Sequence, residues 1–231
     1  MTSRPLTSPD DPPAAPRRLR ADAERNRAAI LAAARDVFAE HGLEAPLEEI
    51  AARAGVGIAT LYRRFPAREQ LVAAALIEKV TQYAEAAEQA LAVPDPWAGF
   101  ASFVERICEM QAGDRGLSDL LSMTLPADAH VEQVRRLAND KVIRLVERAK
   151  AAGRLRADFV GEDLLLLLIG NAAVADVTRA DAPDAWRRFT ALALDGFQRR
   201  DAPGLPAPPS TAQMASAMLR LARERGCGSR G

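Results

Sequence analysis

From about residue 21 to residue 200, the apolar residues of this 231-residue chain recur at helical spacing, interrupted by Gly and Pro, and nowhere alternate with polar residues at a strand's period. That pattern restricts the chain to an all-α architecture. Composition agrees, because aromatic residues make up only 5% while Ala and Leu, which lose little rotamer freedom in a helix, abound. Hydrophobic residues reach 48% and 31 acidic residues balance 31 basic ones, which excludes a charge-rich disordered chain. The length suits one large domain or two small ones.

Punctuation divides the chain further. Five of the fifteen prolines precede residue 17, so residues 1–20 read as a flexible arm. Helices are expected at 21–40, closed by His41-Gly42, then at 47–54, at 58–65 and from Pro66 to about Leu91. Pro94 and Pro96 break the chain, and further helices are expected at 96–113, 117–124, 127–152, 161–180 and 183–200. DAPGLPAPPS (201–210) reads as a Pro-rich linker, followed over 211–231 by a short amphipathic helix, carrying Met214, Met218 and Leu221, and a tail. The total is about nine or ten helices. The longest uncharged apolar run, LLLLLIGNAAVA, has twelve residues, short of the roughly 17 a bilayer-spanning helix needs. With only Cys108 and Cys227 and no apolar secretory segment at the N-terminus, a cytoplasmic protein is expected.

Two two-turn helices joined by Gly55-Val56-Gly57 have the proportions of a helix-turn-helix, over about 46–65, whose second helix enters the DNA major groove. Val56, Leu61 and Phe65 are expected to hold the pair against its neighbours, leaving Ile58, Ala59, Thr60, Arg63 and Arg64 toward the groove. From Ile50 to Arg68 the charges are Arg53, Arg63, Arg64 and Arg68, with no acid, as a phosphate-facing surface requires. Arg17, Arg18, Arg20, Arg25 and Arg27 add basic character just upstream, suited either to the minor groove or backbone or to plain solvent exposure.

Residues 25–76, RNRAAILAAARDVFAEHGLEAPLEEIAARAGVGIATLYRRFPAREQLVAAAL, resemble the DNA-binding domain of TetR/AcrR-type transcriptional regulators. The Ile-Leu-x-Ala-Ala start, Phe-x-x-x-Gly helix end, Ile-Ala-x-x-Ala-Gly-Val and Leu-Tyr-x-x-Phe occur in order and in register. The resemblance implies a DNA-binding domain over 21–83 and a helical ligand-binding and dimerisation bundle over 84–200. It also implies that Thr60, Tyr62, Arg64 and Arg68 touch DNA, Tyr62 and Arg68 through phosphates. Two positions depart from the family pattern. Pro46-Leu47 stands where relatives often carry a capping Thr, so a side-chain cap is expected to be missing. Ile58-Ala59 replaces polar residues, so base reading there would be apolar, with Arg63 or Arg64 reading guanine.

One short recognition helix reads too few base pairs for specificity, so a homodimer on a palindromic operator is expected. Leu164, Leu165, Leu168, Ile169, Leu192, Leu194 and Phe197 are the candidate interface, or else intramolecular core. A pocket for a small-molecule effector would draw on Trp97, Phe100, Phe103, Ile107, Met110, Leu120, Met123, Leu166 and Asn171, although core packing is the better reading of each apolar position. Asn171 needs a partner, whether ligand, dimer mate or backbone carbonyl, and Cys108 is flanked by Glu105 and Glu109, unfavourable to a thiolate. Catalytic patterns are lacking: Gly-Lys does not occur, Gly55-Val56-Gly57 lacks a third glycine, and His41 and His130 lie in no metal-ligand spacing. No enzyme, metal or cofactor is expected. The expected function is a ligand-responsive transcriptional regulator, a repressor, with a helical small-molecule-binding or enzymatic bundle as the alternative.

Overall fold

The structure is a computed structural model that describes residues 15–122, 129–198 and 204–224. Among them are ten helices and no strand: α1 (Ala15–His41), α2 (Leu47–Arg53), α3 (Ile58–Arg64), α4 (Arg68–Ala92), α5 (Pro96–Gly113), α6 (Arg115–Ser122), α7 (Ala129–Ala151), α8 (Gly161–Thr178), α9 (Ala185–Gln198) and α10 (Thr211–Glu224). No helix among the described residues is long and apolar enough to cross a membrane.

Helix ends follow local chemistry. α1 begins at Ala15, inside the stretch expected to be an arm. α4 begins at Arg68 and not at Pro66, because Ala67 takes an extended N-cap conformation. Asp95 caps α5 by accepting the Ala98 N–H at 2.7 Å, with Pro96 in the first turn. α2 follows Pro46 without a side-chain cap, as its sequence leads one to expect.

Two apolar clusters organise the molecule. The first gathers Ile30, Val37 and Phe38 of α1, Ile50 of α2, Leu61 of α3 and Leu71 and Leu76 of α4, and it also takes in Leu117 and Leu120 of α6. The second joins the distal half of α4 to α5, α7, α8 and α9 around Phe100, Phe103, Ile107 and Phe159. α4 therefore serves both, with α6 as the other bridge. Burying one such Phe or Leu stabilises by about 1.5–3 kcal/mol, so either cluster outweighs the backbone details at its edges.

Candidate nucleic-acid interface

The turn between α2 and α3 is set by Gly55, whose φ of +67° is one an L side chain rarely adopts. Around it, the Val56 N–H donates to Ala51 O at 3.0 Å and the Gly55 N–H to Ala52 O at 3.1 Å, the paired bonds of a Schellman ending. α3 then leaves from Gly57 in a fixed direction.

α3 has two faces. Ile58, Leu61 and Phe65, three and four residues apart, point inward: Leu61 and Phe65 are buried, and Ile58 is half-buried against the first cluster. Ile58, expected on the groove side, thus belongs to the core, since it shares a helical stripe with Leu61. The opposite stripe is Ala59, Tyr62 and Arg63, all exposed, Tyr62 by 47%, with Thr60 and Arg64 half-buried beside it. Arg63 Nη2 lies 3.4 Å from the Thr60 hydroxyl. Arg64 Nε is buried with no hydrogen-bond partner among the described residues.

Arg53, Arg68, Arg27 and Arg25 are committed elsewhere. Arg53 grips Glu40 with both Nη atoms, at 2.8 and 2.9 Å, and reaches Glu49 at 3.4 Å. That hydrogen bond holds the Glu40 carboxyl below the usual carboxylate range and raises Arg53. The acid-free stretch read along the sequence is therefore partly neutralised by acids from α1 and α2. Arg68, expected on a phosphate, turns Nε, Nη1 and Nη2 to the carbonyls of Leu43 and Ala45, fastening the α1–α2 loop. Arg27 stacks on the Phe65 ring, 5.5 Å from its centroid, and Arg25 pairs with Asp22. Arg17, Arg18 and Arg20 lie on the first turns of α1.

α6 ties this domain to the rest. Asp119 accepts the Leu43 N–H at 2.9 Å, and Arg115 donates to Glu40 O at 3.1 Å while pairing with Asp176 on α8. Gly42, at φ +79°, leaves the space this requires: a Cβ there would stand 2.6 Å from Asp119 Oδ2.

Two family models match the chain, one described as bacterial regulatory proteins, tetR family, over residues 30–75, the other as the C-terminal domain of SbtR-like transcriptional regulators, over 95–199. A TetR transcriptional regulator from Streptomyces coelicolor is 35% identical, the match covering 76% of this chain and 99% of that one, with a TM-score of 0.49. This chain belongs to the TetR family of bacterial transcriptional regulators. A TetR regulatory protein from Mycobacterium vanbaalenii is 32% identical over 78% of this chain and 99% of that one, with a TM-score of 0.42. A tetR-family regulatory protein from Rhodococcus RHA1, 22% identical over 76% of this chain and 98% of that one, has a TM-score of 0.52 and shares the fold. No curated protein matches. As a TetR-family member the protein is a helix-turn-helix DNA-binding regulator of transcription, and such regulators are generally not enzymes.

In the C-terminal domain of this TetR-family protein, the expected pocket residues are mostly core. Phe103 packs edge-on to Tyr83, and Phe100 to Phe159 and Phe197, with ring centroids at 5.6, 5.6 and 6.5 Å. Ile107 is buried and Met110 packs between both clusters, so neither lines a space. Leu166 is exposed, and Met123 lies outside the described residues. Leu120 lines a cavity of about 200 Å³ between α4, α6, α7, α8 and α10, with Val80, Tyr83, Leu117, Leu168 and Met214. Sequence reasoning missed α10 as a wall, though its Met214 and Met218 already stood four residues apart.

Asn171 is buried and finds its partners within the chain: its Nδ2 donates to Cys108 O at 3.2 Å and to Gln111 Oε1 at 3.1 Å, and the Thr190 hydroxyl donates to its Oδ1 at 3.4 Å. Burial pushes the Cys108 thiol up to about 11, which keeps it protonated and unreactive.

The expected interface residues divide as well. Leu164, Leu168 and Leu194 are buried in the second cluster, Leu165 lines the cavity, and Phe197 stacks on Phe159 at 4.9 Å. Ile169 and Leu192 stay exposed, and with them Leu166, Ala173 and Val177, the last 81% exposed. Leu166, Ile169, Ala173 and Val177 fall on one side of α8, and the last three form part of the wall of an open groove of about 620 Å³ between α1, α6 and α8.

Proposed function

We propose that this regulator is a cytoplasmic homodimeric repressor that occupies a palindromic operator and leaves it when a small molecule enters the cavity beside α6. The observation that carries the reading is the outward stripe of α3. A methyl group at Ala59 suits a thymine methyl, the Thr60 and Tyr62 hydroxyls suit phosphates or base edges, and Arg63 is long and flexible enough to reach guanine. Arg64 contributes charge beside it, and Arg68 acts by holding the α1–α2 loop against α4. Two copies present two such stripes, and a two-fold axis through the exposed side of α8 repeats them on one DNA face.

Effector action follows from shared walls. Leu117 and Leu120 belong both to the cavity and to the DNA-binding cluster, so a molecule seated there presses on α6, and through Asp119 and Arg115 on the end of α1. Shifting the population from one per cent to 99 per cent released requires about 5.5 kcal/mol of preference for the non-binding state. Two solved structures of similar fold hold small molecules, one resorcinol and the other stearoyl-CoA.

Fluorescence anisotropy on a duplex from the region upstream of the protein's own gene tests the proposal. Binding that weakens steeply with salt and is lost in Tyr62→Ala/Arg63→Ala is expected. Salt-insensitive binding, or full affinity in the double variant, overturns it.

A further inference from the structure

We infer that α10 is a hinged lid on the cavity beside α6, closing it over a one-ring apolar molecule that carries a hydroxyl group. The matched C-terminal family domain ends at residue 199, so α10 is an addition to it. Helix formation here is local: the Ser210 N–H donates to Gln213 Oε1 at 2.8 Å and the Gln213 N–H to Ser210 Oγ at 3.2 Å, a reciprocal capping box. The helix arrives preformed, on a tether, 204–209, that is exposed nearly throughout and carries three prolines.

Its seat is narrow. Met214 and Met218 are buried and face the cavity, Leu221 is half-buried against the DNA-binding cluster, and Gln213, Ala215, Ser216, Leu219 and Arg220 are exposed. At its near end the Thr211 hydroxyl donates to Glu162 at 2.5 Å, and the Leu205 N–H donates to Asp158 at 3.2 Å. Met214 and Met218, with half-buried Ala217 and Leu221 and the Thr211–Glu162 bond, make a small apolar seat for a fourteen-residue helix, so opening it exposes little apolar surface. Methionine, unbranched and adaptable, also suits a surface that must close over either an empty or a filled space.

Size and lining define the ligand class. A volume of about 200 Å³ holds one ring and excludes large dyes. The walls are Leu, Val, Ala, Tyr and Met, and the polar lining residues are Arg135, Asn139 and the mutually bonded Glu162 and Thr211, among which the Asn139 amide is suited to a single hydroxyl. Because Leu221 touches the DNA-binding cluster, lid position and recognition-helix position are linked.

The inference rests on the effector-site reading of this cavity, and its test reads no DNA binding, so either idea can fail alone. On the full chain, the three-ring dye 1-anilinonaphthalene-8-sulfonate is expected to bind Met214→Asp/Met218→Asp at least ten-fold more tightly than wild type, and 4-fluorophenol is expected to displace it. Equal dye binding by both proteins, or dye that 4-fluorophenol leaves in place, overturns the lid. Amide exchange on the wild type decides the matter if the variant does not fold: α10 is expected to exchange as a unit at least ten-fold faster than α8. Equal protection of the two helices would make α10 a fixed wall and overturn the inference.

Discussion

Arginines only a few positions apart do different work in the DNA-binding domain, and the difference lies in what stands opposite each. Arg53 faces two carboxylates, Arg68 faces two carbonyls, and Arg63 faces a hydroxyl and solvent. Arg63→Ala is therefore expected to weaken operator binding by about 1–3 kcal/mol, roughly 5- to 150-fold, with little change in thermal stability. Arg68→Ala should instead lower stability by about 1–3 kcal/mol, because the Leu43 and Ala45 carbonyls lose their donor. Thermal melts and anisotropy on both variants separate the two; equal behaviour would refute the division. A second residue-scale expectation concerns alkali. Cys108 and Tyr83 are held neutral by burial, at about 11 and about 12, so both favour folding fully below the thiol's ordinary value of 9.0 and lose that contribution as pH rises through their folded values. Stability should fall above about pH 9, and in a Cys227→Ser background no thiol should react with a disulfide reagent at pH 8 until the protein unfolds. A reactive native thiol there would contradict the burial of Cys108.

At the scale of elements, helix existence and most boundaries were legible because Gly and Pro act locally: Gly42, Gly55, Pro94 and Pro96 stop or start helices whatever surrounds them. Orientation was legible only where the period was complete. The pattern turns Leu61 and Phe65 inward, as observed, but leaves Ile58 on the groove side although it is half-buried on the same stripe, because a seven-residue helix shows too little periodicity to fix its rotation. On α8 the apolar residues run all round, so nothing in the sequence separates Leu164 and Leu168, which are buried in the second cluster, from Leu166 and Val177, which face solvent. The partners of Arg53 and Arg68 were invisible for another reason: they come from the preceding helix and loop, and a count of charges along one segment omits them. The turn itself yields a prediction. Gly55→Ala meets nothing within 4 Å, so its cost is conformational only, about 1–2 kcal/mol for holding an L residue at φ +67°. Denaturant unfolding measures it, and a loss under 0.5 kcal/mol would mean the turn relaxes.

Across the whole molecule, the outward stripe of α8 matters most, since a lone protomer leaves Leu166, Ile169 and Val177 in water, as it does Leu192 of α9. Three large apolar side chains in one row on a bundle helix are what a second copy would cover, and a two-fold axis there pairs the stripe with itself. In the proposed dimer two weak half-site contacts would multiply, a gain of about 10²–10⁴ when geometry allows both at once. Val177→Asp/Leu192→Asp puts four carboxylates into that interface without touching the protomer's core. The variant should remain helical by circular dichroism, sediment as a monomer at micromolar concentration, and bind the full operator at least about 100-fold more weakly while its affinity for an isolated half-site is unchanged. A persistent dimer would place the interface elsewhere on the bundle. A monomer with undiminished operator affinity would mean that one α3, with Tyr62 and Arg63, supplies all the recognition this protein uses.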